Sequence, residues 1–296
     1  MSKLTMRIAV AGCALAVAAP AYAQDWSAVD KALGRSGAAQ PGAVNKYSFP
    51  RLDLEVTVGG TRVRPALALG SWLAFKRTSD GKTLAMGDLV LTPDEVPTVM
   101  SRLQQGGVEQ MALHNHLSGE TPQVVYMHIM GKGDGEAIAR TIHDALATTK
   151  TPLAPPPAVT PLRLDLDTVG VAAALGVAGK GSGGVYQVSV PRPETIRENG
   201  DEIPPSMGVA TAINFQPTTT GRAVATGDFV LLPTEVNPVI RALRANGIAV
   251  TALHSHLLMD QPHVLFMHFW GDDDALKLAR GLRAALDATA MAHVGK

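Results

Sequence analysis

The sequence predicts an α+β fold made of two tandem homologous domains, each a mostly antiparallel sheet with helices packed on one face. The strongest observation is an internal repeat: segment 111–131 returns 140 positions later as 251–271, without a gap and with 10 of 21 residues identical. Segment 85–96 matches 225–236 at the same offset. Within a copy, short alternating strand patterns are interspersed with apolar residues at helical spacing. A period this long, present twice, indicates a duplicated domain rather than a solenoid.

The repeat and its flanks divide the chain into four parts. Residues 1–23 are expected to be a signal peptide, and residues 24–148 the first repeat domain. Residues 149–163 form a linker, in which five prolines within positions 152–161 predict a stiff, extended connection. The second repeat domain then occupies residues 164–296.

Each copy is expected to open with a helix, within 25–40 in the first copy and 167–176 in the second. Alternating apolar residues then predict strands. In the first copy these strands cover 47–49, 52–58, 66–76 and 82–91, the last of them turning at Gly87-Asp88.

A second helix is predicted to begin at Pro93, where Thr92 can cap it and Glu95 completes a capping box. It ends at Gly106-Gly107, which favour a helix stop. The remaining elements of the copy are strands over 108–117 and 122–130 and a closing amphipathic helix over 134–147.

Histidines are concentrated in the repeated segment, which holds seven of the nine in the chain. Strand alternation places His114 and His116 on one face. A hairpin pairing His114 with His128, and His116 with Tyr126, would bring three imidazoles together. Glu120 lies in the connecting loop, where it can complete the set or act as a general base.

The second copy offers equivalent residues, with Asp260 in place of Glu120 and an additional His263. We expect one site per copy; a single site shared at the interface between the copies is the alternative. The complete set of candidate metal ligands is His114, His116, Glu120, His128, His254, His256, Asp260, His263 and His268.

Three imidazole nitrogens and one carboxylate suit a transition metal ion. Zn²⁺ is the first expectation, with Fe, Mn, Ni and Cu as alternatives. The alternative without a metal is that these histidines only form hydrogen bonds within the scaffold. Two other repeated pairs are assigned structural roles: Gly87-Asp88 and Gly227-Asp228 as turns, and Asp134 and Asp274 as helix N-caps.

The first residues predict export. Lys3 and Arg7 precede an apolar run over 8–19, and Ala21-Tyr22-Ala23 has the form of a cleavage site. Lipid anchoring through Cys13 is the alternative. Cys13 is the only cysteine, so cleavage after residue 23 leaves no disulfide and no thiolate ligand. The mature protein is therefore expected to be periplasmic or secreted, without a transmembrane segment.

Charge excludes one class of partner. The chain has 26 basic and 26 acidic residues and no Lys/Arg run, which argues against nucleic-acid binding. The expected partners are a metal ion and an undefined small-molecule or cell-envelope substrate.

The spacing of His114, His116 and Glu120 resembles the first metal motif of cupins, although a helix directly before the strand does not fit a cupin barrel. A closer resemblance rests on the phrases Ala-Leu-His-x-His, Met-His-x-x-Gly and Gly-Asp-x-Val-Leu-x-Pro-x-Glu-Val. These phrases are similar to those of the uncharacterised bacterial LppY/LpqO-type family of exported proteins. The resemblance implies export and, in some members, a lipid anchor, but no activity.

Three functional hypotheses follow from the sequence. The first is a periplasmic metal-dependent enzyme whose substrate is undefined. The second is a non-catalytic protein that binds a metal or another ligand, which a closed four-ligand site would favour. The third is a structural duplicated domain without a metal.

Overall fold

A computed structural model describes residues 24–155 and 162–293. The predicted signal segment, with Cys13, lies outside the described residues. Within the described part of the chain, each copy is a mostly antiparallel six-stranded sheet with helices, as the sequence predicts.

The first copy runs from residue 27 to residue 146. Its elements are α1 (Ser27–Leu33), β1 (Ala38–Gln40), β2 (Val44–Pro50), β3 (Thr57–Val58), β4 (Thr61–Arg62), α2 (Pro65–Ala68), β5 (Gly70–Arg77), β6 (Thr83–Leu91), α3 (Val96–Gln105), β7 (Glu109–His114), β8 (Glu120–Thr121), β9 (Val125–Gly133) and α4 (Gly135–Leu146).

The second copy repeats this order, with a 3₁₀ turn in place of α2. Its elements are α5 (Thr168–Leu175), β10 (Lys180–Ser182), β11 (Val185–Pro191), β12 (Arg197–Glu198), β13 (Asp201–Glu202), a 3₁₀ turn (Pro205–Met207), β14 (Ala210–Pro217), β15 (Arg222–Leu231), α6 (Val236–Ala245), β16 (Ala249–His254), β17 (Asp260–Gln261), β18 (Leu265–Asp274), α7 (Ala275–Leu286) and a final 3₁₀ turn (Ala290–His293).

The large sheets have the orders β1-β2-β5-β6-β9-β7 and β10-β11-β14-β15-β18-β16, with every neighbouring pair antiparallel. Two small sheets, β4-β3-β8 and β13-β12-β17, lie outside them. In each large sheet the two strands that carry the paired histidines, β7 and β9 or β16 and β18, lie at one edge.

Several local predictions are wrong. β6 runs without interruption through Gly87 and Asp88, so no turn occurs there, and β15 likewise continues through the second Gly-Asp pair. Residues 65–68 form a helical turn instead of the start of a strand. α3 begins at Val96 and not at Pro93, because residues 93–95 form a turn first. The predicted N-caps at Asp134 and Asp274 are confirmed, since each carboxylate accepts a backbone N–H three residues further on.

Both faces of each large sheet are buried. One face packs on the copy's own helices, where Leu103 and Ile142 meet Met127 of β9 in the first copy. The opposite face carries a core shared by the two copies, in which Met86 and Met130 lie in one cluster with Phe266. The molecule is therefore layered helix, sheet, sheet, helix. The sequence predicts helices on one face of each sheet, and the second core, on the opposite face, is the main difference.

Each copy also extends an arm onto the other copy's sheet. The arm comprises residues 51–69 in the first copy and residues 192–209 in the second. Val58 and Leu67 of the first copy pack with Val185 and Val224 of the second. In the same way, Ile196, Ile203 and Met207 pack in a cluster with Val44 and Met86. These exchanged contacts bury apolar surface of both copies together, so the two domains form one structural unit.

Hydrogen bonds fix this interface. The Gln216 side chain accepts from the Arg64 backbone N–H at 2.8 Å and donates to the Arg62 carbonyl at 2.7 Å. The Arg64 guanidinium donates to the Gly184 carbonyl. From the other copy's arm, the Ser206 hydroxyl donates to the Pro41 carbonyl at 2.8 Å.

A buried arginine stands at the same place in each copy. The Arg51 side chain is fully buried and donates to the Val90 carbonyl at 2.7 Å. It also forms ion pairs with Asp53 and Glu95, both at 2.8 Å. The second copy repeats this network with Arg192, Glu194, Val230 and Glu235. The network ties the end of β2 or β11 to the strand that carries the Gly-Asp pair.

Candidate metal centre

The register of the strands determines where each histidine lies. On β9, His128 lies opposite Asp88 of β6 on one side and opposite Ala112 of β7 on the other. His114 lies opposite Tyr126, so the predicted pairing of His114 with His128 is wrong by two residues. A bulge between Gln110 and Ala112 shifts the register, and β7 ends at His114. His116 therefore lies in the loop that follows.

The second copy has the same arrangement. His268 of β18 lies opposite Asp228 of β15 and Ala252 of β16, and His254 lies opposite Phe266. The register shift recurs between Val250 and Ala252. The duplicated sequence thus produces duplicated side-chain positions, on the sheet face that points toward the other copy.

Six histidines from the two copies form one cluster at that interface. The ring centroids are 3.6 Å apart for His114 and His254, and 3.8 Å for His116 and His268. The third pair, His128 and His256, is 3.6 Å apart. Within a copy, His114 is farther from His116, at 5.0 Å, and from His128, at 5.1 Å. The structure therefore brings the histidines of both copies together in one centre at the interface between the copies.

Asp88 and Asp228, which were expected to lie in turns, lie against this cluster. Asp88 has its Oδ2 3.7 Å from His116 Nε2 and its Oδ1 3.7 Å from His128 Nε2. Asp228 has its Oδ2 3.9 Å from His256 Nε2 and its Oδ1 3.6 Å from His268 Nδ1. The sequence around Asp88 could have shown that it lies within a strand, because residues 83–91 form an apolar run typical of a strand buried on both faces.

Most of the unpaired buried polar atoms in the described part of the chain belong to this cluster. Among the described residues, nine buried side-chain nitrogen or oxygen atoms have no hydrogen-bonding partner in the protein, and seven of them belong to these histidines and aspartates. The seven atoms are Asp88 Oδ1, His114 Nε2, His116 Nε2, His128 Nε2, Asp228 Oδ1, His254 Nδ1 and His268 Nε2. Burying polar atoms without partners costs free energy, so a concentration of them in one place is typical of a site that can bind a cation.

The electrostatics of the cluster fit metal ligands. Burial lowers the pKa of His114 to about 4 and that of His254 to about 3. Burial and the neighbouring histidines lower the pKa of His116, His128 and His256 well below their ordinary value. These imidazoles are neutral near pH 7, the form in which histidine binds a metal.

Burial acts on the aspartates in the opposite direction. It raises the pKa of Asp88 to about 7 and that of Asp228 well above its ordinary range. A cation bound beside a buried carboxylate stabilises the ionised form and reverses this shift. The carboxylates thus also match a site that receives a positive charge.

Neighbouring groups orient the rings. The Gly227 carbonyl lies 3.0 Å from His268 Nδ1, which leaves Nε2 free for an ion. The Thr251 hydroxyl donates to the His116 carbonyl at 2.7 Å and so joins the ligand loops of the two copies. Tyr126 stacks on His116 at 3.5 Å, and Phe266 stacks on His256 at 3.7 Å.

Two groups of nitrogen atoms converge closely enough to share an ion. One group is His114, His116 and His128, and the other is His114, His254, His256 and His268, with ligand atoms within 4.8 Å of one another in each group. His114 belongs to both groups, so the two are adjacent parts of a single centre.

Three of the predicted ligands lie outside these groups. Asp260 accepts hydrogen bonds from the Val264 backbone N–H at 2.6 Å and contacts His263 Nδ1 at 3.0 Å. The His263 side chain is 56% exposed. Glu120 lies on β8, paired with Val58, and its buried Oε1 has no partner among the described residues. The loop carboxylates and His263 thus belong to neither group of converging nitrogen atoms.

Comparison with known proteins places the chain in a family. The family described as Domain of Unknown Function (DUF1259) matches residues 27–148 and again residues 169–288, and the chain belongs to this family. No curated protein matches. Among solved structures, a trimeric bacterial microcompartment shell protein, PduB, is similar over 86% of this chain and 90% of its own, with 13% identity and a TM-score of 0.24. In the part of the chain that the structure describes, no helix is long and apolar enough to cross a membrane.

Proposed function

We propose that this protein binds a transition metal ion at a centre that its two copies build jointly. The observation that carries the proposal is the convergence of six neutral histidines across the interface, with unpaired nitrogen atoms buried among them. A purely structural role would give these atoms hydrogen-bonding partners, because unpaired buried polar groups destabilise a fold. A bound cation satisfies them together.

The donor set narrows the choice of ion. The cluster offers imidazole nitrogen and carboxylate oxygen, which suit Zn²⁺ first and Fe, Mn, Ni or Cu as alternatives. Hard ions such as Mg²⁺ and Ca²⁺ prefer sites made of oxygen alone. The histidine-rich set therefore supports a transition metal.

The metal content of the purified, untagged protein tests the proposal, measured by elemental analysis and by Zn²⁺ titration of the chelator-treated protein. His128→Gln and His268→Gln are each expected to lower the amount of bound metal while far-UV circular dichroism stays unchanged. Two matched controls, His143→Ala and His263→Ala, remove histidines that lie outside the cluster and are expected to leave metal content unchanged. The absence of metal uptake by the wild-type protein would refute the proposal.

A metal-dependent enzyme is a second candidate function, because the centre is not fully sealed from solvent. The His116 side chain is 18% exposed and that of Asp228 is 17% exposed. A ligand position open to water is characteristic of catalytic sites, whereas a closed set characterises storage or structural sites. Water-proton relaxation of the Mn²⁺-loaded protein distinguishes them: exchange of water at the ion favours the enzyme, and its absence favours the non-catalytic binding protein.

We also propose that the protein is exported, supported by the charged start and apolar run of residues 1–23 and by the resemblance to LppY/LpqO-type proteins. The expected result of cell fractionation is a periplasmic or secreted protein that begins at Gln24. A chain that begins at a lipid-modified Cys13 would show anchoring instead. A full-length chain in the cytoplasm would contradict export.

A further inference from the structure

Each copy contributes a triad of one carboxylate and two imidazoles to the centre. In the first copy, two different oxygens of Asp88 lie 3.7 Å from His116 and 3.7 Å from His128. In the second, the oxygens of Asp228 lie 3.9 Å from His256 and 3.6 Å from His268. Two ligand atoms that bind one ion at about 2.1 Å are roughly 3.4 Å apart in tetrahedral geometry. The Asp88 triad is thus already close to the size that one ion requires. In the Asp228 triad the 3.6 Å distance runs to His268 Nδ1, whereas the nitrogen free for an ion is Nε2.

The two triads face each other through stacked rings. His116 of the first triad stacks on His268 of the second with an interplanar angle of 29°, and His128 stacks on His256 at 21°. A ring binds a metal in its own plane, so two stacked rings direct their nitrogen lone pairs to different points. The stacked pairs therefore favour two neighbouring ions over one ion bound by all the rings.

The carboxylates provide the charge that a pair of ions requires. Two divalent ions a few ångströms apart repel each other strongly in a buried site, and a carboxylate at each offsets part of this repulsion. Among the described residues, no Lys or Arg forms an ion pair with Asp88. Lys46, whose charge acts on Asp88, places its ammonium 4.1 Å from the Trp72 ring centroid and 3.4 Å from the Ser206 carbonyl. Asp88 and Asp228 each keep one buried oxygen without a partner among the described residues.

We infer that the centre binds two divalent transition metal ions, one at Asp88, His116 and His128 and one at Asp228, His256 and His268. The pair of ions lies between the copies, with His114 beside both and His254 beside the second. Their separation is expected to be near the roughly 3.5–4 Å of two-metal sites. This inference rests on the proposed function and adds the number of ions and the ligand role of the two aspartates.

The test is titration of the chelator-treated full chain with Co²⁺, followed by its visible spectrum and by electron paramagnetic resonance. The wild-type protein is expected to bind two equivalents and to show the weakened resonance signal of an interacting pair. Asp88→Asn and Asp228→Asn are each expected to bind one equivalent, with the full signal of an isolated ion. The double variant is expected to lose both.

The matched control is Asp134→Asn, which alters an exposed N-cap and is expected to retain two equivalents, because asparagine caps a helix as well as aspartate. If either aspartate variant does not fold, His128→Gln and His268→Gln replace it and are each expected to retain one equivalent.

Three other results are decisive. One equivalent in the wild type, abolished by either variant, would overturn the two-ion inference and leave the proposed metal-binding function intact. Two equivalents that both aspartate variants retain would overturn the ligand assignment. No uptake of Co²⁺ or Zn²⁺ by the wild type would refute the proposed function itself.

Discussion

The buried arginine networks provide a quantitative test of how the strands that carry Asp88 and Asp228 are held in place. Arg51→Met removes a fully buried guanidinium and leaves three acceptors behind: the Asp53 and Glu95 carboxylates and the Val90 carbonyl. Breaking a buried ion pair by removing one partner costs about 3–5 kcal/mol, because the remaining charge loses its compensation.

The surroundings of the two carboxylates place the expected cost near the lower end of that range. The Asp53 side chain is 18% exposed and can turn toward water. Glu95 still accepts the backbone N–H groups of Thr92 at 2.9 Å and Lys150 at 3.0 Å. We therefore expect a loss of about 3 kcal/mol in the free energy of unfolding. For a chain of this size, this corresponds to a fall of roughly 10 °C in Tm.

The assay is urea unfolding of the metal-free protein, followed by circular dichroism. Arg62→Met is the matched control, because the salt bridge of Arg62 with Glu55 is solvent-exposed, with side chains 69% and 78% accessible. It is expected to change stability very little, as surface ion pairs contribute little. A loss below about 1 kcal/mol for Arg51→Met, or a loss equal to that of the control, would refute the reasoning.

The same network predicts an acid-sensitive component of stability. Burial alone would raise the pKa of Glu95, but hydrogen bonds from Arg51 and from the backbone of Lys150 and Thr92 outweigh it and lower the pKa. The folded state therefore binds this proton less readily than the unfolded state. The resulting stability is present above the unfolded pKa of Glu95, near 4.5, and is lost as the pH falls through the lowered folded pKa. Comparing wild type with Glu95→Gln between pH 3 and pH 6 measures it, and a pH-independent difference would contradict it.

Three further predictions concern the centre and its support. Gly227→Ala is expected to cost about 3 kcal/mol and to lower metal content, because the added Cβ would lie 1.9 Å from the Ala212 carbonyl oxygen; normal stability in a urea melt would contradict this. Tyr126→Phe removes the 2.8 Å hydrogen bond to the Ala68 carbonyl and is expected to cost about 1 kcal/mol, with metal content unchanged because Phe266 serves at the equivalent place. Adding Zn²⁺ to the chelator-treated protein at about 1,000 times Kd is expected to contribute about 4 kcal/mol of stability, and an unchanged Tm would contradict it.

Most secondary structure follows from local sequence patterns. The hydrophobic spacing of 96–103 and of 138–146 places apolar residues on one helix face, and both segments are helices with that face buried. The capping box is also present in part, since the Glu95 carboxylate accepts the Thr92 backbone N–H. Local patterns succeed here because helix formation depends on neighbours three and four residues apart.

The turn expected at Gly87-Asp88 is wrong for a tertiary reason. Glycine followed by aspartate favours turns locally. In the fold, Gly87 instead allows a close approach to the neighbouring strand, because an added Cβ would lie 2.8 Å from the Trp72 carbonyl oxygen. Asp88 then occupies the centre of a strand opposite His128. Only contacts with distant parts of the chain favour this arrangement over a turn.

Sequence patterns were enough to predict that the domain is duplicated, that each copy is an antiparallel sheet with helices, and that the repeated histidines are among the candidate metal ligands. Repetition, periodicity and residue type are properties of the sequence, and they do not depend on how the two copies pack against each other. Tertiary structure alone decided that His114 meets His254 across the interface at 3.6 Å and that Asp88 and Asp228 lie among the imidazoles. Those contacts exist because both faces of each sheet are apolar, so that burying the second face requires the other copy and brings the two sets of polar side chains together.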